Sequence, residues 1–467
     1  MNTETTTAPA QPSAAGPTQL ELKQIAAEVV QRAVQCGATA AECVIRDGTE
    51  FSTVVRLGEV ESLKESGSKA LGIRVFVGQR AASTWTSDLS RPSLQQMIDS
   101  ALELAKLTTE DPFASIPEAS QLGSIPGDLD LYYEDVNSLS TADRIAYARR
   151  AERAALDFDP RISNSEGGTF DVATGRKVLA NSHGFVGEYE RSYCSVSAVP
   201  IARDEQGNMQ RDYWYSVSRT MGKLESAESV GQTAARRALR RLGARKVKTT
   251  RVPVIFDQQI ARSLLDHIFE AANGDSIYRK ASFLVGKLGE QVAGSNVTVI
   301  DDGTIPGGFG SSPFDGEGIP TRRTVVIENG MLKSYLLNTY AAKKLGLATT
   351  GNAARGLAGN PGIGAGNFFL QPGAKTPEQI IAEVKDGLYV TEFLGFGVNL
   401  VTGDFSRGAG GLWIANGELT YPVEEITVAG NLKDMLRNIS EIGSDLEFRG
   451  SIACPTLRID GMTVAGE

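Results

Sequence analysis

The stretch EFSTVVRLGEVESLKES, Glu50–Ser66, decides how the N-terminal part of the chain folds. Apolar and polar residues alternate on either side of Leu57-Gly58. A period of two sends successive side chains to opposite faces, which marks strands rather than a helix. The glycine at the break supplies the backbone freedom of a tight hairpin. The neighbouring runs AAECVIRD (40–47) and ALGIRVFVGQRAASTWTS (70–87) repeat the pattern, so an antiparallel meander is predicted. Helices flank it. Leu22, Ile25, Ala26, Val29, Val30 and Ala33 share helical spacing, and residues 91–111 form a second helix with Pro92 in its first turn.

The same order recurs downstream. Residues 138–160 read as a helix with Ser140 as N-cap and Asp143 three residues on. Strand-like runs fill 167–219, with a hairpin turn at Gln206–Asn208, and a helix over 226–244 closes the unit. This repetition is either a duplication or the commonest way to cover one face of a sheet. Past RKVKTT the character changes. VPVIFD is a buried strand, and Asp257 can cap a helix from Gln258 to Ala272. Strand-like segments with Gly-rich turns follow, including hairpins at Glu328–Gly330 and Ala415–Gly417, with short helices at 376–384 and 431–439. The predicted class is α+β: a tail (1–18), a helix-meander-helix unit (19–125), a second such unit in the same N-terminal domain (126–247), and a mainly antiparallel β-rich domain with a few helices (248–467).

Composition bounds the function. A chain of 467 residues needs two or three domains. With 41% apolar and 22% charged residues it is a soluble globular protein. A net charge of -9 without a long basic run excludes a nucleic-acid partner, which needs clustered Lys and Arg. Cys36, Cys43, Cys194 and Cys454 contain no CxxC pair and read as reduced cytosolic thiols. No run approaches the roughly 18–20 apolar residues of a membrane span. The Thr/Ala/Pro-rich start lacks the basic and apolar regions of a signal peptide and reads as a disordered tail. A cytoplasmic protein without a membrane partner is expected.

Candidate chemistry centres on SLLDHIFEAANGDSIYRK, Ser263–Lys280. His267 and Glu270 share a helix face and can both touch one metal ion. A catalytic zinc wants at least three protein ligands, and H-E-x-x-H is absent. His183, the only other histidine, lies far away in a strand connection. An ordinary helix histidine is the competing reading. Tyr278, Arg279 and Lys280 form a short basic-aromatic patch suited to a peptide carboxylate or a partner's acids, against a solvated loop. The loop AGNPGIGAGNFF (358–369) lacks the context of a phosphate loop, but its Gly362, Gly364 and Gly366 can form a movable cleft wall. TGDFSRGAGGLWIANG (402–417) combines Asp404, Arg407, Gly408 and Gly410. A tight hairpin is the plain reading there, and close approach of an extended peptide the functional one. No GxSxG elbow is present.

Several long segments in order resemble the TldD/PmbA family, on its PmbA side: GDSIYRKASFLVGKLGEQV, SSPFDGEGIPTRRTVVIENGMLKSYLLNTYAAKKLGL, VTGDFSRGAGGLWIANGELTYPVEEITVAGNLKDMLRNI and CPTLRIDGMTVAG. GEVESLKESGSKALGIRVFVGQRAASTWTSDLS, ISNSEGGTFD and NSHGF match as well, so the resemblance covers nearly everything after the tail. It implies a cytosolic heteromeric metalloprotease acting on unfolded or small peptides and on peptide maturation. It also carries the older name modulator of DNA gyrase, a phenotype that an acidic chain fits better through proteolysis than through DNA. In the family the TldD subunit holds zinc with an H-E-x-x-x-H helix and a C-terminal Cys. Anchored on Gly274-Asp275, those motif positions fall on Leu265, Asp266 and Glu270, and Cys454 falls after the place of the thiolate. The resemblance therefore implies no metal in this chain, zinc in a TldD-like partner, and a role in completing that partner's substrate chamber. Peptides would add as a strand at an exposed sheet edge near Gly362–Gly366 and Gly408–Gly411. Two other readings stay open: a stand-alone homodimeric peptidase using His267, Glu270 and Asp275, and a peptide-binding protein without hydrolysis.

Overall fold

The structure, a computed structural model, describes residues 19–467. The predicted tail lies outside the described residues. In the N-terminal part, strands β1 (Ala40–Arg56), β2 (Glu59–Val77), β3 (Arg80–Thr86), β4 (Ile162–Asn181), β5 (Val186–Arg203), β6 (Met209–Arg211) and β7 (Trp214–Ser218) make one sheet. Its order is β3-β2-β1-β4-β5-β6, with β7 also on β5. Every pairing is antiparallel. Helices α1 (Gln19–Gln35), α2 (Arg91–Leu107), α3 (Thr141–Leu156) and α4 (Ala227–Leu239) accompany it.

The two helix-meander-helix units are two halves of this sheet, joined along β1 and β4. Gly48 stands opposite Gly175 at the junction, where a Cβ on Gly48 would lie 2.6 Å from the Thr174 carbonyl oxygen. On one side Cys43, Ile45, Leu71 and Ile73 pack with residues of α1 and α2. On the other, Phe51, Val55, Phe170 and Val172 pack with α3 and α4. Cys43, Ile45, Phe51 and Val55 are all odd positions of one strand, so all four helices cover the same face. The opposite face, carrying Val44, Arg46 and Gly48, is left for the C-terminal domain.

That domain contains β8 (Thr250–Phe256), α5 (Gln258–Ala272), α6 (Gly274–Tyr278), β9 (Val299–Asp302), β10 (Arg323–Glu328), β11 (Met331–Leu332), α7 (Thr339–Leu345), β12 (Ala353–Ala354), β13 (Gly362–Ile363) and β14 (Phe368–Leu370). It continues with α8 (Pro377–Ala382), β15 (Asp386–Leu394), β16 (Asp404–Ala415), β17 (Glu418–Asn431), α9 (Leu432–Arg437), β18 (Ile439–Ile442), β19 (Ile452–Ala453) and β20 (Leu457–Ala465). One sheet runs β17-β16-β15-β8-β20-β18, and β17 also pairs with β20. That extra pairing closes the sheet on itself and leaves few free edges. A second sheet runs β11-β10-β9-β14-β19. The fold is α+β, with antiparallel sheets dominating and helices in the minority.

Local chemistry explains many boundaries. Ser140 and Asp143 form a capping box on α3, and the Asp257 side chain accepts from the Gln259 N–H at 3.0 Å to start α5. Asn329-Gly330 and Asn416-Gly417 both hold positive φ at consecutive residues, as two-residue hairpins require. Two expectations are corrected. Ser276–Phe283 does not begin as loop: α6 occupies Gly274–Tyr278, capped by the Asn273 side chain on the Asp275 N–H at 2.9 Å. Nor is Thr402–Gly417 a tight hairpin. Asp404–Ala415 is one strand, and only Asn416-Gly417 turns. Because β16 is hydrogen-bonded to β15 and β17 on both sides, Gly408 and Gly410 offer no free edge for a peptide. Among the described residues, no helix is long and apolar enough to cross a membrane.

Candidate functional site

Helix α5 carries Leu265, Asp266, His267 and Glu270. Leu265 is 1% exposed and packs in the domain core with Leu264 and Ile268. Glu270, five residues on, is exposed. Five residues of α-helix turn the side-chain direction by roughly 140°, so these two positions point apart. Asp266 and His267 are half-buried. Burial pushes the Asp266 carboxyl up, and burial with the charges of Asp266 and Asp275 does the same to Glu270. Burial also raises Asp275, partly offset by Arg279. His267 is pulled down by burial and by Arg407, and its Nε2 is buried without a hydrogen-bond partner. Arg407 lies over the Phe393 ring at 4.8 Å. Asp404 accepts from Thr402 Oγ1 at 2.6 Å and Asn431 Nδ2 at 3.1 Å, holding a turn rather than a ligand.

The remaining candidates are dispersed. Cys454 is 1% exposed, and burial holds its thiol well above the ordinary range, so thiolate is disfavoured. His183 Nδ1 sits 2.7 Å from the Pro117 carbonyl in the β4–β5 turn. Tyr278 meets Tyr340 edge-on at 5.8 Å, Arg279 lies over the Tyr278 ring, and Lys280 is exposed with positive φ. Among the described residues, no group of three or more His, Cys, Asp or Glu is arranged to hold a metal ion. The residues at the positions the resemblance assigns to the imidazoles do not fit zinc: Leu265 is an aliphatic core residue and Glu270 a carboxylate facing elsewhere.

A cavity lined by both domains lies away from α5. A cleft of about 570 Å³ opens between the helix-free face of the N-terminal sheet and the loops of the C-terminal domain. Arg46, Lys177 and Tyr189 stand in register across β1, β4 and β5, with Arg191 two residues further along β5. Burial would raise the Tyr189 phenol, but Lys177, Arg191 and Arg46 outweigh it and bring it below the usual value. The opposite wall holds Asp301, Asp315 and Asn352 among glycines. Asp301 Oδ2 accepts from Asn352 Nδ2 at 2.7 Å, whereas its buried Oδ1 has no partner. Burial lifts the Asp301 carboxyl to about 7. Asp315 accepts from the N–H groups of Glu317, Ile319 and Ala353, yet burial still raises it. Burial and the neighbouring Asp315 raise Glu317, which accepts from the Thr339 N–H at 2.9 Å.

Gly364 and Gly366 belong to this wall. A Cβ on Gly366 would come within 2.9 Å of the Gly303 nitrogen and 3.0 Å of Asp301 Oδ2. Gly362 is paired with Ala354 in the short β12–β13 ribbon. Sequence reading found the glycines but missed Arg46, Lys177, Arg191, Asp301, Asp315 and Asn352. The available signal was VTVIDDG, which puts an aspartate at the end of a buried strand.

Asp301 makes stability depend on pH. In the unfolded chain its carboxyl ionises near the ordinary ~3.9, whereas the folded protein holds the proton up to about 7. The unfolded state therefore loses its proton first. This contribution is fully present below about pH 4 and disappears as pH rises to about 7, by on the order of 2–4 kcal/mol. Urea unfolding of the wild type and Asp301→Asn at pH 4.5 and 8 checks it. The variant should show the flatter pH dependence, and equal slopes would contradict the assignment.

Residues 41–105, 134–242 and 249–466 match, in turn, domain 1, the central domain and the C-terminal domain of the PmbA/TldA metallopeptidases. Metalloprotease PmbA of Escherichia coli O157:H7 is 41% identical over 91% of this chain and 92% of that protein. The Metalloprotease PmbA homolog of Haemophilus influenzae is 37% identical over 96% of each. A crystal structure from Bacteroides thetaiotaomicron, described as a modulator of DNA gyrase, superimposes with a TM-score of 0.89 at 30% identity, covering 96% of this chain and 99% of that one. TldE from Thermococcus kodakarensis shares the fold with a TM-score of 0.85 at 22% identity, over 94% of this chain and 99% of that one. Both the sequence and the three-dimensional arrangement lead to one conclusion: the chain belongs to the PmbA/TldD metallopeptidase family.

Proposed function

We propose that this chain is the zinc-lacking subunit of a PmbA/TldD-type metalloprotease assembly in the cytoplasm, where it completes the substrate chamber of a zinc-bearing TldD-like partner and helps hold unfolded or short peptides. The observation that supports this reading is Leu265: the residue to which the family resemblance assigns the first zinc imidazole is apolar, 1% exposed and turned into the core. Without two imidazoles and a thiolate, nothing in the chain lowers the pKa of a bound water to make hydroxide at neutral pH. Asp266 alone would be a base with no Lewis acid beside it. The chemistry then belongs to the partner. This chain's part is to bind, orient and enclose.

The test mixes purified chain with a relative that carries H-E-x-x-x-H and follows cleavage of an unstructured peptide. A mixed species should elute together in size-exclusion chromatography, and adding this chain should raise the cleavage rate or change the cut sites. Cleavage by the zinc subunit that is indifferent to this chain would sink the reading. Cleavage by this chain alone, as a homodimer, would replace it with the stand-alone reading.

A further inference from the structure

We infer that the cleft between the N-terminal sheet and the C-terminal domain is a binding site for the two charged ends of a short peptide, with the α-carboxylate on Arg46, Lys177 and Arg191 and the α-ammonium on Asp301. The inference rests on the reading of this chain as a peptide-holding protein, and it places the grip away from α5.

The cleft lining is rich in charge, with Asp47, Glu50 and Arg176 also on the sheet side and Asp315, Arg322 and Arg355 also on the other. The sheet wall carries Arg46, Lys177 and Arg191, none of which has a carboxylate within salt-bridge distance among the described residues. By contrast, Arg176 on the same strand is paired with Glu190 at 2.6 Å, and Arg355 nearby is paired with Glu42 at 2.5 Å. Arg191 donates through Nη2 to the Ser311 carbonyl at 2.7 Å, but its Nε is buried without a partner. A guanidinium that keeps one N–H free can donate it to a carboxylate. Facing it, Asp301 is 2% exposed and leaves Oδ1 unpartnered. Buried polar atoms normally find partners, so two orphans on opposite walls of one cavity point to a ligand with both an acceptor end and a donor end.

Size and lining agree with a peptide. About 570 Å³ falls within the 300–1,000 Å³ range of small-ligand sites. On the wall of Asp301 lie Gly303, Gly310, Gly364 and Gly366, where added Cβ atoms would meet backbone or side-chain atoms at 3.0 Å or less. Their missing side chains are demanded by the protein's own packing against Thr321, Gly366, Ala354 and Gly303, and what they leave in the lining is bare backbone. A phosphate ion would answer the cations but leave Asp301 unanswered.

Calorimetric titration of the isolated chain with Ala-Ala-Ala at pH 7.5, above the value of about 7 to which burial lifts Asp301, tests this, with the C-terminal amide, the N-acetyl form and inorganic phosphate as comparison probes. The free tripeptide should bind, and amidation or acetylation should each weaken it about tenfold or more, the scale of one lost charge-assisted hydrogen bond. Lys177→Met and Arg46→Met should abolish the preference for the free acid over the amide. Asp301→Asn should abolish the preference for the free amine over the N-acetyl form. No detectable tripeptide binding, equal binding of acid and amide, or displacement of the tripeptide by phosphate at comparable concentration would overturn the proposal. Arg46 is exposed, so its variant keeps the test available if substitution at half-buried Lys177 harms folding. No partner or hydrolysis enters this readout. An inert mixture with the zinc subunit would count against the proposed function and leave these titrations unaltered.

Discussion

Glu42→Ala is expected to destabilise the protein by about 3–5 kcal/mol, the cost of stripping one partner from a buried ion-pair network. Glu42 is 1% exposed and sits on β1, facing the C-terminal domain. Its Oε1 lies 3.0 Å from Arg74 Nη1 on the neighbouring strand and 2.5 Å from Arg355 Nη1 of the other domain. Burial alone would raise its carboxyl, but Arg355 and Arg74 together hold it below the usual value. Arg46 donates to the Arg355 backbone carbonyl, so the same residue is tied to the sheet twice. Removing the carboxylate leaves two buried guanidiniums, 3% and 5% exposed, without a counter-charge. The midpoint of urea unfolding measures the loss. The combined variant Glu42→Leu, Arg74→Met, Arg355→Met should lose much less than Glu42→Ala, since an apolar replacement avoids stranded charge. A Glu42→Ala midpoint within error of wild type would show that the network does not join the domains.

Phe314→Ala should cost a comparable 3–5 kcal/mol, the range for truncating a buried aromatic. Phe314 comes from the C-terminal domain and is 0% exposed. It inserts between Phe185 and Tyr189 of the N-terminal sheet, at ring-centroid distances of 5.0 and 5.2 Å and with edge-on geometry. Val44 and Leu179 complete this small core. Area burial and edge-to-face contact act together here, and the surrounding strands cannot collapse easily into the space. Because Phe314 also lines the cleft, its loss should loosen the cavity. Thermal unfolding should fall by several degrees, and Phe314→Leu should lie between the alanine variant and wild type. An alanine variant as stable as wild type would mean that this cluster contributes little to holding the domains together.

What the sequence revealed follows the range of the interactions involved. The α5 start, the α3 capping box and the Asn-Gly hairpins are set by residues within a few positions of one another, and periodicity and cap chemistry read them directly. The strand-like run through Asp404–Ala415 and its turn at Asn416-Gly417 were legible, but the glycines Gly408–Gly411 also allowed a tight-hairpin reading. Only its pairing on both sides, with β15 and β17, makes those glycines strand residues. The β17–β20 closure joins segments with α9, β18 and β19 between them, and no local pattern records it. The candidate site shows the same division. The family ligand positions could be placed by matching motifs, yet only the fold reveals that Leu265 faces the core while Glu270 faces outward. The cleft was invisible, because Arg46, Lys177 and Arg191 converge through strand register and then meet Asp301 and Asn352 from a domain more than a hundred residues away.

The central claim is that the metal chemistry belongs to a partner. Its most direct test is the zinc content of the purified full chain after equilibration with zinc and removal of excess, measured by plasma mass spectrometry beside an H-E-x-x-x-H relative treated identically. The account predicts that the relative retains close to one zinc per chain and that this chain retains a small fraction of that amount. Stoichiometric zinc on this chain alone, lost on substitution of His267 or Glu270, would contradict it.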